Sequence, residues 1–190
     1  MNNLQDYIKV YPNVVPLSLC DALCEEFGPS NEWSAAYVTN GKNEIIVDTE
    51  VRKVDAISLS VKEVIEKNKD LRTRFDKDVF TSVNHAVEQY VNQYPHSHIK
   101  GDCGYQILRY NVGEFYLQHT DALEGIQRVL SCSIGLNEDY TGGEFAFFDR
   151  QLIMRIPKGA AIVFPSNFLY PHEILPVLTG TRYSVVTWLA

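Results

Sequence analysis

Tyr110 to Asp121 read YNVGEFYLQHTD, and this stretch decides the fold. Asn111-Val112-Gly113 carries turn chemistry, and the residues on either side follow a two-residue period rather than a helical one. In an extended strand successive side chains point to opposite faces, so His119 and Asp121 point the same way with one short residue between them. The pair is a nitrogen-and-oxygen claw for a metal ion. Taken alone it also reads as a core histidine beside a turn residue, so its worth depends on what the rest of the chain brings to it.

Outward from that stretch the period stays strand-like. Eight short runs follow Gly101, at 105–110, 115–120, 129–136, 144–148, 152–156, 160–164, 172–175 and 182–189. Turn residues separate them at Thr141-Gly142-Gly143, Pro157-Lys158-Gly159 and Leu178-Thr179-Gly180 as well. Upstream, 7–11 reads as a short strand, Ser18 as the cap of a helix carrying Cys20, Leu23, Cys24 and Phe27, and 33–38 as another strand. The polar segment 39–54, with Asn40-Gly41, reads as a hairpin or loop. Ile57, Val61, Val64 and Ile65 make one helical stripe. Phe75, Val79, Val83, Val87, Tyr90 and Tyr94 make a longer one, ended by Pro95. The expected class is α+β: a double-stranded β-helix, or jelly roll, of eight core strands over 104–190, braced by helices from 1–103, in one domain spanning 1–190.

Composition sets bounds on partners. The 190 residues are 45% apolar and 22% charged, with a formal net charge of -7, so a nucleic-acid backbone or an anionic membrane is repelled on average. Lys62, Lys67, Lys69, Arg72, Arg74 and Lys77 are interleaved with acids and read as a solvated helix face. No leader pattern or bilayer-length apolar run is evident, and the expectation is a cytoplasmic monomer. Cys20, Cys24, Cys103 and Cys132 contain no C-x-x-C pair and read as free thiols.

Of the five histidines, His85 falls in the long helical stripe, and His96 and His98 lack a carboxylate or cysteine at ligand spacing. His172, at the start of a later strand, supplies a third prong to His119 and Asp121. Two histidines and one carboxylate leave positions open on the metal, as in non-haem Fe(II) sites. Ten residues on, Arg182 opens the last strand, and a guanidinium facing a small pocket calls for an anion, which a carboxylate satisfies bidentately. Tyr110 and Ser131 offer hydroxyls from neighbouring strands. Together these side chains suit a dicarboxylate that chelates the metal at one end and is clamped at the other.

The runs LRYNVGEFYLQHTD, LNEDYTGGEFAFF, PHEILPV and GTRYSVVTW resemble the prolyl 4-hydroxylase branch of the Fe(II)/2-oxoglutarate dioxygenases, over residues 104–190. The resemblance implies iron on His119, Asp121 and His172, and 2-oxoglutarate on Arg182 with Tyr110 and Ser131 as partners. It places Trp188 along the active site and counts ascorbate among the cofactors. Arg182 stands where collagen-type members carry lysine, which is similar to the oxygen-sensing members and their bacterial relatives. Gly135 stands where many members carry an aromatic, implying a wider pocket or greater reliance on Tyr110. Gly142 and Gly143 read as a turn and Glu144 as structural, while 39–54 occupies the place of a lid, with Arg52 as a substrate contact. The implied reaction hydroxylates a peptidyl proline with dioxygen, giving succinate and carbon dioxide. Alternatives are a hydroxylase of a free amino acid or other small molecule, and a catalytically silent jelly-roll binding module. Nucleic-acid demethylation suits the chemistry but sits poorly with the acidic charge.

Overall fold

All eight runs form strands, and they divide four and four between two facing sheets. The structure, a computed structural model, describes residues 3–39, 44–60, 69–123, 125 and 127–190. Before Gly101 it has β1 (Lys9–Tyr11), β2 (Ser34–Ala35), β3 (Val38–Thr39), β4 (Ile45–Ile46), β5 (Arg52–Lys53) and β6 (Asp55–Ser58). After it come β7 (Gln106–Tyr110), β8 (Phe115–His119), β9 (Leu130–Gly135), β10 (Thr141–Gly142) and β11 (Phe145–Phe147). The last five are β12 (Leu152–Met154), β13 (Ala161–Pro165), β14 (His172–Ile174), β15 (Val177–Thr179) and β16 (Arg182–Leu189). The helices are α1 (Leu17–Phe27) and α2 (Lys69–Gln93), with short 3-10 turns at Leu4–Tyr7 and Pro95–Ser97.

The major sheet runs β1-β13-β9-β16-β7-β6-β2 and the minor sheet β12-β11-β14-β8-β5, with antiparallel pairing throughout. Strand alternation sorts the major sheet into two faces. Ile107, Ile134, Val163 and Val185 point outward and are buried under Leu23 and Phe27 of α1 and Phe75, Val79 and Val83 of α2. Leu108, Tyr110, Ile162 and Phe164 point inward and meet Phe145, Phe147 and Ile174 of the minor sheet. The architecture is the jelly roll with helical bracing. On β9 and β16 the inward positions include Ser131, Ser133, Arg182 and Ser184, and all four are buried. One part of the space between the sheets is therefore polar, and it is where the site lies.

Several local expectations are corrected. The cap of α1 is Pro16, not Ser18, which lies inside the helix; proline at a helix start gives up no bonded N–H. Ile57 belongs to β6, where it pairs with Ile107, and the remainder of its supposed helical stripe lies outside the described residues. Arg72 is not on a solvated face: it is buried, donating to the Ser58 carbonyl at 3.0 Å and pairing with Glu32. Segment 33–38 splits into β2 and the start of β3, and β3 pairs with β4 as a hairpin whose Asn40-Gly41 turn lies outside the described residues. His85, His96 and His98 are exposed.

Candidate active site

His119 closes β8 and His172 opens β14, and the two are direct cross-strand partners. Their rings lie 4.3 Å apart between centroids. Asp121 sits two residues beyond the end of β8, in a loop, so the claw is completed by the loop and not by strand alternation. Asp121 Oδ1 is 3.6 Å from His119 Nε2, and Oδ2 is 3.6 Å from His172 Nε2. The far ring nitrogens are fixed: His119 Nδ1 donates to the Leu117 carbonyl at 2.8 Å and His172 Nδ1 to the Tyr170 carbonyl at 3.1 Å. Such bonds select the tautomer that leaves both Nε2 lone pairs facing Asp121. One atom from each of the three residues falls within 4.8 Å of the others.

The charges suit a metal. Burial, with His119 adding to it, pushes the His172 imidazole down to about 4, so it is neutral near pH 7. Phe164 and Phe147 supply that apolar wall, with ring centroids 4.8 and 5.5 Å from His172. For Asp121 burial works upward, but His172, His119 and the Ser131 hydroxyl outweigh it and hold the carboxyl well below its usual range. By the pH at which Asp121 takes up a proton His172 already carries one, so its attraction is in force there.

Arg182 faces the same pocket. It pairs in register with Tyr110, its guanidinium 5.0 Å from the Tyr110 ring centroid, and Nη1 donates to Ser184 Oγ at 3.1 Å. Among the described residues no carboxylate pairs with this buried cation. A buried charge without a counter-ion is costly, and an anionic ligand would remove the cost. Gly143 does more than turn the chain: a Cβ there would stand 2.8 Å from Arg182 Cδ. Gly135 does not widen the pocket. A Cβ at that position would meet the carbonyl oxygens of Pro157 and Ile156 at 2.6 and 2.8 Å, so the chain's own backbone fills the space.

Ser131 faces the pocket but gives its hydroxyl proton to Asp121 Oδ2, at 2.6 Å. Trp188 lies on the same face of β16 as Arg182, under the Arg128 guanidinium at 3.8 Å. Arg128, which the motifs did not flag, also donates to the Asp121 carbonyl at 3.2 Å. Tyr116 was missed too. Its ring stacks on His119 at 3.5 Å and 15°, and the Arg52 guanidinium lies over the same ring at 4.7 Å. Strict alternation would put residues three apart on opposite faces, but the β8–β14 register slips by one between His119 and Tyr116 and brings them together. Arg52 is buried and donates to the Tyr37 carbonyl at 2.7 Å. A groove lined by both strands of the β3–β4 hairpin, Arg128 and Trp188 also takes in His119 and Asp121.

Comparison with known proteins agrees with this geometry. Residues 105–190 match the sequence profile of the 2OG-Fe(II) oxygenase superfamily. A PKHD-type hydroxylase of Idiomarina loihiensis is 32% identical over 89 residues, covering 44% of this chain and 40% of that protein. One from Colwellia psychrerythraea is 28% identical over 126 residues, covering 62% and 56%. The matched stretch is thus 40 to 56% of the length of these curated relatives. In fold the chain is similar to a Trichoplax adhaerens prolyl hydroxylase solved with a hypoxia inducible factor peptide fragment, with a TM-score of 0.75, 15% identity and coverage of 96% of this chain and 83% of that one. A Pseudomonas putida prolyl-4-hydroxylase superposes with a TM-score of 0.66 at 20% identity, covering 96% and 91%. By its sequence profile, and by the prolyl hydroxylase fold that carries it, the C-terminal part of the chain, residues 105–190, belongs to the 2OG-Fe(II) oxygenase superfamily.

Proposed function

We propose that the chain is an Fe(II)- and 2-oxoglutarate-dependent dioxygenase that hydroxylates a prolyl residue within a peptide or protein. The observation that carries this is the convergence of His119, Asp121 and His172 in one pocket with Arg182, a buried cation that no carboxylate among the described residues pairs. Two imidazoles and a carboxylate are a donor set that fits Fe(II). When bound, the iron would supply the activation of dioxygen and the oxidative decarboxylation of 2-oxoglutarate to succinate and carbon dioxide.

The chain's own residues do the rest. Arg182 binds the far carboxylate of 2-oxoglutarate with a planar fork of donors, and the Tyr110 ring and Ser184 hydroxyl keep that fork in place. Phe145, Phe147 and Phe164 exclude water behind His172. The groove between the β3–β4 hairpin and Trp188 accepts the substrate. Lining drawn from the hairpin, the β8 end and Trp188 suits a peptide better than a free amino acid, in keeping with the peptide complex of the Trichoplax enzyme. The hairpin is the lid of this reading, and Arg52 lines both the groove and the pocket.

The test is succinate release and gain of one oxygen atom in a proline-containing peptide, with free proline as the comparison substrate and ascorbate in the assay. His172→Ala is expected to abolish both products, and Arg182→Ala to raise the 2-oxoglutarate KM by about 10-fold or more, as loss of a charged hydrogen-bonded partner does. Succinate release by His172→Ala at the wild-type rate would sink the ligand assignment. Oxygen gain in free proline alone would move the substrate to the small-molecule class.

A further inference from the structure

Asp121 belongs to no strand, so something other than ladder hydrogen bonds must aim its carboxylate. The Ser131 hydroxyl donates to Asp121 Oδ2 at 2.6 Å, and the Ser166 hydroxyl lies 2.8 Å from Ser131 Oγ. A serine has one hydroxyl proton; Ser131 spends it on the carboxylate, so Ser166 is the donor of the second bond. Both serines are 1% exposed. Ser131 lies within β9, and Ser166 follows β13 directly, its N–H bonded to the Val129 carbonyl at 3.0 Å. Two paired strands of the major sheet therefore hold the two hydroxyls.

We infer that Ser131 and Ser166 form a buried hydroxyl relay that positions Asp121 as a metal ligand. The relay occupies Oδ2 and leaves Oδ1 turned toward His119 Nε2. Accepting a bond from Ser166 polarises the Ser131 hydroxyl and makes it the stronger donor. Ser131 is thereby a positioning residue for the metal rather than a partner of 2-oxoglutarate, because its one proton is already committed. This inference rests on the metal-site reading given above.

Titration of the purified chain with Co(II), followed by visible absorption, tests it without turnover. Ser131→Ala is expected to weaken Co(II) binding by about 10- to 100-fold and to change the spectrum, the usual scale for losing an outer partner of a ligand. Ser131→Thr keeps the hydroxyl and is expected to restore both. Ser166→Ala should show a smaller loss, and the double alanine variant should be no weaker than Ser131→Ala, since the relay acts through Ser131. Ser131→Ala with wild-type Co(II) affinity and spectrum but a raised 2-oxoglutarate KM would overturn the proposal, as would additive losses in the double variant. If Ser131→Ala does not fold, Ser166→Ala against wild type carries the same comparison. Failure of the wild-type chain to bind Co(II) would instead remove the underlying metal-site reading, which keeps the two failures apart.

Discussion

Three of the four cysteines sit where a thiolate is unwelcome. Burial pushes the Cys20 thiol up to about 11 and those of Cys24 and Cys132 up to about 12, from an ordinary value of 9.0. The folded chain thus prefers these groups protonated. Their contribution to stability is complete below the ordinary thiol value and is lost as pH rises from there toward 12. Urea midpoints measured on either side of pH 9.0 should fall with rising pH, and the fall should shrink in a Cys24→Ala variant. At neutral pH an alkylating reagent should reach Cys103 first, because it alone of the four is exposed. At this scale the sequence was informative about residue type and less so about partner. His119, Asp121, His172 and Arg182 stood out because their chemistry is expensive to place anywhere but a site. Tyr116, Arg128 and Ser166 are ordinary residue types, drawn in by a register slip, a loop and a strand end that no local pattern announces.

Elements show the same division. The eight core strands were legible because each presents alternate residues to different surroundings, two apolar layers for the major sheet and a core and a more exposed face for β8 and β12. β10 and β15 were not, since Thr-Gly and Val-Leu-Thr carry the same residues as a turn, and only their mutual pairing makes them strands. Ile57 satisfied a helical spacing, yet its pairing with Ile107 on β7 decided its state. The link after β10 gives a direct prediction. Gly143 has φ +67 and lies against Arg182, so Gly143→Ala meets both backbone strain, about 1–2 kcal/mol, and a crowded Cδ. The variant should lose stability on that scale in urea denaturation. It should also raise the 2-oxoglutarate KM through displacement of Arg182, with Co(II) affinity unchanged. A Gly143→Ala protein with wild-type KM would show that the close approach has no bearing on the anion site.

At the scale of the whole molecule the two sheets meet through an apolar core whose Leu108, Tyr110, Phe145, Phe164 and Ile174 also line the pocket of the candidate site. Phe147 is fully buried in that core, among Phe145, Phe164 and His172. The Ser131 bond to Asp121 ties the major sheet to the loop that follows β8. Both imidazoles of the proposed metal site belong to the minor sheet, while the carboxylate between them is tied to the major one. A divalent ion seated there is then more than a reagent. It would be a rivet between the halves of the sandwich. Ligand linkage puts its worth at about 2.7 kcal/mol when the free ion stands at 100 times its dissociation constant. Unfolding followed with and without Co(II) should show that rise in midpoint for the wild type and lose most of it in His172→Ala. The three side chains proposed to hold the reagent would then also clamp one sheet to the other.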